Sequence, residues 1–83
     1  MEIWVNVTVK NGYHYLSVGR KWVKFSDPDG SGRITYMPAE KIPSEMQRDD
    51  AELQICTTKQ MIDDIDNLMA FSFDADSGAF SNK

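Results

Sequence analysis

One cysteine and one histidine are all that the 83 residues offer to metal, thiol or imidazole chemistry. A lone Cys56 makes no internal disulfide, so nothing staples this chain and a reducing, cytoplasmic setting is the expectation. Zinc sites need four ligands at short spacings, and neither cysteines nor histidines recur here. Glycine is scarce too, and no glycine-rich stretch matches a phosphate-binding loop. No hydrophobic run reaches the roughly 18 residues of a membrane helix. The first residues enter a strand pattern at once, without the basic and apolar regions of a leader, so we expect none. Carboxylates abound but show no local pairing of an acid with a base. We therefore expect no enzyme, no cofactor and no membrane association.

Aromatic residues, by contrast, are plentiful. Nine of them, within a hydrophobic fraction of 41%, are enough for one small core and argue for a folded single domain. Charge is unevenly placed. Residues 1–42 carry six Lys/Arg against four acids, a balance of +2, and residues 43–83 carry three against nine, a balance of −6. The overall charge of −4 thus conceals a basic half and an acidic half.

The clearest local signal is residues 3–18, where apolar and polar residues alternate on both sides of Asn11-Gly12. Such alternation around Asn-Gly predicts a β-hairpin with a two-residue type I′ turn. Val7 then faces Leu16 and Val9 faces His14. Ile3, Val5, Val7, Val9, Leu16 and Val18 fall on an inner face. Trp4, Asn6, Thr8, Lys10, Tyr13, Tyr15 and Ser17 fall on the outer one. Gly19-Arg20 suits a second tight turn, which brings residues 21–25 alongside and adds Val23 and Phe25 to the inner face. After a loop at 27–32, residues 33–37 supply a fourth strand, with Phe25 beside Ile34 and Val23 beside Tyr36. The result is an antiparallel meander over residues 2–37.

Residues 38–52 are irregular, broken by Pro38 and Pro43, with Ser44 and Gln47 able to cap a short helical segment. Residues 53–57 read as a short strand. Thr57 and Gln60 then match a capping box, and Met61, Ile62, Ile65, Leu68 and Met69 recur at helical spacing, predicting a helix over 58–71. A frayed tail is expected over 74–83. The fold class that follows is α+β: a four- to five-stranded antiparallel meander packed against one C-terminal amphipathic helix.

Residues 27–35, Asp-Pro-Asp-Gly-Ser-Gly-Arg-Ile-Thr, resemble the start of an EF-hand calcium loop, with Asp27, Asp29 and Ser31 as oxygen donors. Position twelve of that loop, normally a bidentate Glu, is Pro38, and the flanks read as strands. At most a weak calcium loop is expected. His14, at the edge of an apolar face, reads as structural, and Cys56, inside a strand, reads as a buried thiol.

Two surfaces are candidates for binding. Asp63, Asp64 and Asp66 on the helix, with Asp49, Asp50 and Glu52, form an acidic half suited to a protein with a basic surface. Trp4, Tyr13, Tyr15 and Trp22, with Lys10, Lys24 and Arg33, form an aromatic and basic sheet face suited to stacking single-stranded nucleic acid. The net charge of −4 argues against affinity for free nucleic acid. The leading expectation is a non-catalytic, protein-binding inhibitor or regulator acting on a nucleic-acid-handling protein. Phage anti-restriction and anti-CRISPR proteins share this size and charge, a likeness of class and not of sequence. Oligomeric state is left open.

Overall fold

The structure, a computed structural model, describes residues 1–27, 29–42 and 54–82. The fold class is α+β; among the described residues, antiparallel strands form two sheets and there is one α-helix. The first sheet is the hairpin β1 (Trp4–Val9) and β2 (Gly12–Ser17). The second has the order β5-β3-β4-β7-β6, from β3 (Lys21–Ser26), β4 (Ile34–Pro38), β5 (Gln54–Thr57), β6 (Ser72–Asp74) and β7 (Ala79–Ser81). Helix α1 (Thr58–Asp64) follows directly on β5.

The hairpin has the expected faces: Val7, Val9 and Leu16 are buried, while Trp4, Tyr13 and Tyr15 are exposed. Its register differs from expectation by two residues, with Val7 opposite His14 and Val5 opposite Leu16. A shift of two preserves side-chain parity, which is why the faces survive it. The turn residues are Lys10 and Asn11 rather than Asn11 and Gly12, and only Gly12 takes positive φ, at 136°. A type I′ turn needs positive φ at both central positions. Here a tertiary contact holds the tip instead. Asn11 Nδ2 donates to the Phe73 carbonyl at 2.7 Å, and its Oδ1 accepts from the Phe73 N–H at 2.9 Å. The Lys10 N–H donates to the Phe71 carbonyl at 2.7 Å.

The continuous meander expected over 2–37 is interrupted, because β2 and β3 belong to different sheets. Gly19 lacks the positive φ that a type II′ hairpin turn requires. The corner at 18–20 serves the helix instead. The Thr58 N–H donates to the Arg20 carbonyl at 3.0 Å and the Lys59 N–H to the Val18 carbonyl at 3.2 Å. The next N–H, of Gln60, donates to Thr57 Oγ1 at 3.2 Å, and Gln60 Oε1 accepts from the Thr57 N–H at 2.9 Å. The expected capping box is present, and three orphan N–H groups of the first turn are satisfied.

Strand β3 pairs one residue away from expectation and carries a buried residue on each face: Val23, expected inside, is 3% exposed, and Trp22, expected outside, is fully buried. Lys24 lies opposite Tyr36 and Val23 opposite Met37. A shift of one changes which side chains share a face with Tyr36. Trp22 therefore points into the core rather than outward with Trp4. Its indole N–H donates to Thr58 Oγ1 at 2.7 Å, which meets the need of a buried indole for a partner.

The helix ends at Asp64 instead of reaching residue 71, and a 3₁₀ turn occupies Leu68–Ala70. Asp and Asn compete with the helical backbone for hydrogen bonds, and Asp63, Asp64, Asp66 and Asn67 crowd this stretch. Asn67 Oδ1 accepts from the Met69 N–H at 3.1 Å and starts the new turn. Ile62, Ile65 and Leu68 still pack on the core, whereas Met69 is exposed.

The tail expected to fray is the centre of the fold. Strand β7 lies between β4 and β6, and Phe80 has no accessible surface. Its ring centroid sits 5.3 Å from Trp22 and 4.9 Å from Phe73. Asp74 builds the connecting turn: its carboxylate accepts from the Asp76 N–H at 2.9 Å and the Ser77 hydroxyl at 3.1 Å. Gly78 closes the turn at φ 74°, and its N–H donates to the Asp74 carbonyl at 2.7 Å. Asn82 then locks the end of β7 to β4, its Oδ1 accepting from the Ile34 N–H at 2.9 Å. Phe80→Ala is expected to cost about 3–5 kcal/mol in chemical denaturation, as for a large ring removed from a closed core. A dispensable tail would leave the midpoint unmoved.

Candidate functional site

The acidic and aromatic candidates occupy separate surfaces. Asp63, Asp64 and Asp66 are all exposed, at and just beyond the last turn of α1. Lys59 Nζ lies 3.1 Å from Asp63 Oδ2, one helical turn apart, with both side chains largely solvated. No salt bridge among the described residues reaches Asp64 or Asp66. These acids stand at the end of the helix where the backbone dipole favours cations, and its last turn contains no basic residue. Asp49, Asp50, Glu52 and the Ser44/Gln47 cap lie outside the described residues.

Asp64 also borders a shallow concavity with Cys56, Gln54 and Gln60. The half-buried Cys56 thiol is pushed above the usual thiol range, chiefly by burial and further by the Asp64 carboxylate, against a smaller pull from Lys24. The Tyr36 hydroxyl is raised to about 12 by burial, with Cys56 and Asp64 adding to it. A thiol held protonated in this way is a poor nucleophile.

The aromatic face is smaller than expected. Trp4, Tyr13 and Tyr15 remain on the outer side of the hairpin, at 59%, 62% and 64% exposure, with the two tyrosine rings edge to face at 6.0 Å. Trp22 is withdrawn into the core, which removes it from this surface. Lys24 is half-buried on the core side of β3, its ammonium 6.0 Å from the Tyr36 ring. Arg33 is exposed, but it precedes β4 in the other sheet and lines a hollow with Thr35 and Met37. Of the three expected cations only Lys10, exposed in the turn, belongs to the hairpin that carries the aromatics. Arg20, near the open end of the hairpin, is engaged elsewhere. Its guanidinium lies 4.9 Å above the Trp22 ring and 2.8 Å from Glu40, whose carboxyl it holds below the usual range.

The loop at 27–33 uses its oxygens internally. Asp29 Oδ1 accepts from the Ser31 N–H at 3.0 Å, and Ser31 Oγ accepts from the Arg33 N–H at 3.3 Å. Those contacts with Ser31 keep the Asp29 carboxyl below its usual range. Asp27 is exposed, its N–H bonded to the Arg33 carbonyl at 3.1 Å. The chain beyond is strand rather than helix, and Pro38 is buried opposite Trp22. Among the described residues no cluster of three His, Cys, Asp or Glu side chains is placed to hold a metal ion.

His14 lies opposite Val7, not Val9, with its ring 4.2 Å from Phe73 and 5.9 Å from Phe80. Its Nε2 is buried without a hydrogen-bond partner among the described residues. Sequence reasoning placed Ile3 inside. It is 64% exposed beside Trp4, although its carbonyl accepts from the Val18 N–H at 2.9 Å. No helix among the described residues is long and apolar enough to cross a membrane. No protein family, curated protein or solved structure matches this chain.

The Cys56 surroundings give a signed pH expectation. A thiolate beside Asp64 is disfavoured by like charge, so Asp64→Asn should shift the pH profile of Cys56 alkylation downward. Lys24→Gln should shift it upward. Superimposable profiles in both variants would mean that neither side chain neighbours the thiol.

Proposed function

We propose that this chain is a non-catalytic binding protein, an inhibitor or regulator, that docks the carboxylates at the end of α1 on the basic surface of a nucleic-acid-handling protein. The observation that carries this reading is the placement of Asp63, Asp64 and Asp66. Acids in the first turn of a helix need no function, because the backbone dipole stabilises them. Acids in the last turn have no such local reason. Only Asp63 has a cation beside it among the described residues, so Asp64 and Asp66 keep their field for a partner. Clustered charge of one sign steers association and selects a partner of the opposite sign.

The nucleic-acid reading is weaker because the aromatic face lacks Trp22 and its hairpin carries only Lys10 of the expected cations. Backbone phosphates are bound by converging Lys and Arg, and a chain of net charge −4 with one lysine on that hairpin repels them. The small size and acidity also match the class of phage-encoded inhibitors that occupy nucleic-acid sites on proteins.

The test is capture of partners from the native host on the immobilised chain, followed by kinetics with the purified partner. Replacing Asp63, Asp64 and Asp66 together by Asn should slow association about tenfold or more, with little change in dissociation. The difference should shrink at high salt, since exposed charges are screened beyond about 8 Å at physiological ionic strength. Circular dichroism should be unchanged. Tight binding of an oligonucleotide, weakened by Tyr15→Ala and improved by the triple Asn variant, overturns the proposal.

A further inference from the structure

We propose that the outer face of the β1–β2 hairpin is a homodimer interface, in which a second copy of this chain packs face to face about a two-fold axis at Asn6. The first support is the character of the face. Trp4, Tyr13 and Tyr15 present three large rings to solvent between Asn6, Thr8 and Ser17, with the charged Glu2 and Arg20 lining the hollow beside Trp4 and Tyr15. Aromatics among small hydroxyl and amide side chains are the composition of protein-binding surfaces, where rigid rings give area at low entropic cost.

The register then shows that this face complements itself. On β1, Trp4, Asn6 and Thr8 share one side by alternation, with Glu2 just before the strand and Lys10 in the turn just after it. On β2, Ser17, Tyr15 and Tyr13 lie opposite Trp4, Asn6 and Thr8. A two-fold axis in the interface plane, crossing the strands at Asn6, sets β1 against β1 of the second copy in reversed direction. Trp4 then meets Thr8 of the other copy, and Tyr13 meets Ser17. Trp4 and Tyr13 each fall on a small side chain, in both directions. Tyr15 meets its own equivalent at the axis. Lys10 meets Glu2 of the second copy, at both ends of the interface. Glu2 and Lys10 are exposed and roughly 25 Å apart along the strand, too far to pair within one chain.

The area is of the right order. At their observed exposures the three rings leave about 400 Å² of accessible aromatic surface. A standard interface takes roughly 800 Å² from each partner. The exposed Glu2, Asn6, Thr8 and Lys10 side chains supply much of the remainder. The face is also electrically neutral, Glu2 against Lys10, so two copies of net charge −4 meet where neither repels the other.

The experiment is sedimentation equilibrium on the full chain over a concentration series, with circular dichroism as the control for folding. The wild type should approach twice the 9.5 kDa monomer mass. Lys10→Glu alone should raise the dimer dissociation constant at least tenfold, since two acids then face each other at each end. Glu2→Lys combined with Lys10→Glu should restore it. Thr8→Trp, which sets ring against ring, should give a folded monomer. A monomeric wild type at about 1 mM overturns the proposal. So does a dimer indifferent to Thr8→Trp and to the charge swap. A monomer that instead binds an oligonucleotide or a foreign protein through Tyr15 assigns the face to that ligand and equally overturns it.

Discussion

The hydrogen bond from the Trp22 indole to the Thr58 hydroxyl, 2.7 Å long and closed to solvent, is the constraint on which the rest of this fold depends. It joins an interior strand of the larger sheet to the first residue of the helix. A buried indole N–H without a partner costs about 1–3 kcal/mol, so Trp22 can turn inward only where Thr58 meets it. Thr58 reaches that place because its own N–H is held by the Arg20 carbonyl, at the corner where the chain leaves the hairpin. The corner, the strand and the helix start therefore fix one another. A tight hairpin at Gly19-Arg20 would turn those carbonyls to other uses and leave the helix N–H groups unmet. The division into two sheets follows from the helix cap.

Once Trp22 is inside, the chain's last strand has a defined role. Phe80 packs against Trp22 and Phe73, and Phe73 meets His14 from the other sheet. The aromatic cluster is what holds the two sheets together, and it draws on residues far apart in sequence. Asn11 adds a polar fastening by pairing its amide with both backbone groups of Phe73. This contact fixes the hairpin tip and accounts for a turn one residue earlier than its Asn-Gly pair suggests, which shifts the cross-strand pairing by two.

Much of the local physics was legible, though not the hairpin turn or the early end of α1, and the non-local physics was not. The inner face of the hairpin, the capping box at Thr57 and Gln60 and the α+β class all rest on contacts between residues near in sequence, and all are present in the structure. The burial of Trp22 was not legible, because Lys-Trp-Val-Lys-Phe-Ser alternates plausibly in either sense and only Thr58, 36 residues away, decides between them. The C-terminal hairpin did carry a signal. Phe73 and Phe80 flank Asp-Ala-Asp-Ser-Gly, a loop of side-chain acceptors closed by glycine, as turns commonly are. Its position at the end of the chain outweighed that chemistry. Of the candidate surfaces, the acids at 63–66 and the rings of Trp4, Tyr13 and Tyr15 are exposed, but patterning alone did not decide whether the outer sheet face is left open. Trp22 is not exposed, for the same one-residue reason.

The early end of α1 connects the fold to the proposed function. Ile65, Leu68 and Met69 continue the helical spacing of Met61 and Ile62, so the apolar pattern would carry a helix several residues further. Asp63, Asp64, Asp66 and Asn67 stop it, by their low propensity and by crowding carboxylates at the negative end of the dipole. Lys or Arg at those positions would extend the helix and complement its end, without disturbing Met61 or Ile65. The chain thus gives up helix length at a surface where stability alone favours the opposite charge. Such a departure from local consistency is where function is to be sought. The hairpin face shows the converse pattern: a neutral, ring-bearing strand pair in a chain of strong net charge. On the two proposals made above, one surface attracts an oppositely charged partner and the other meets a copy of itself.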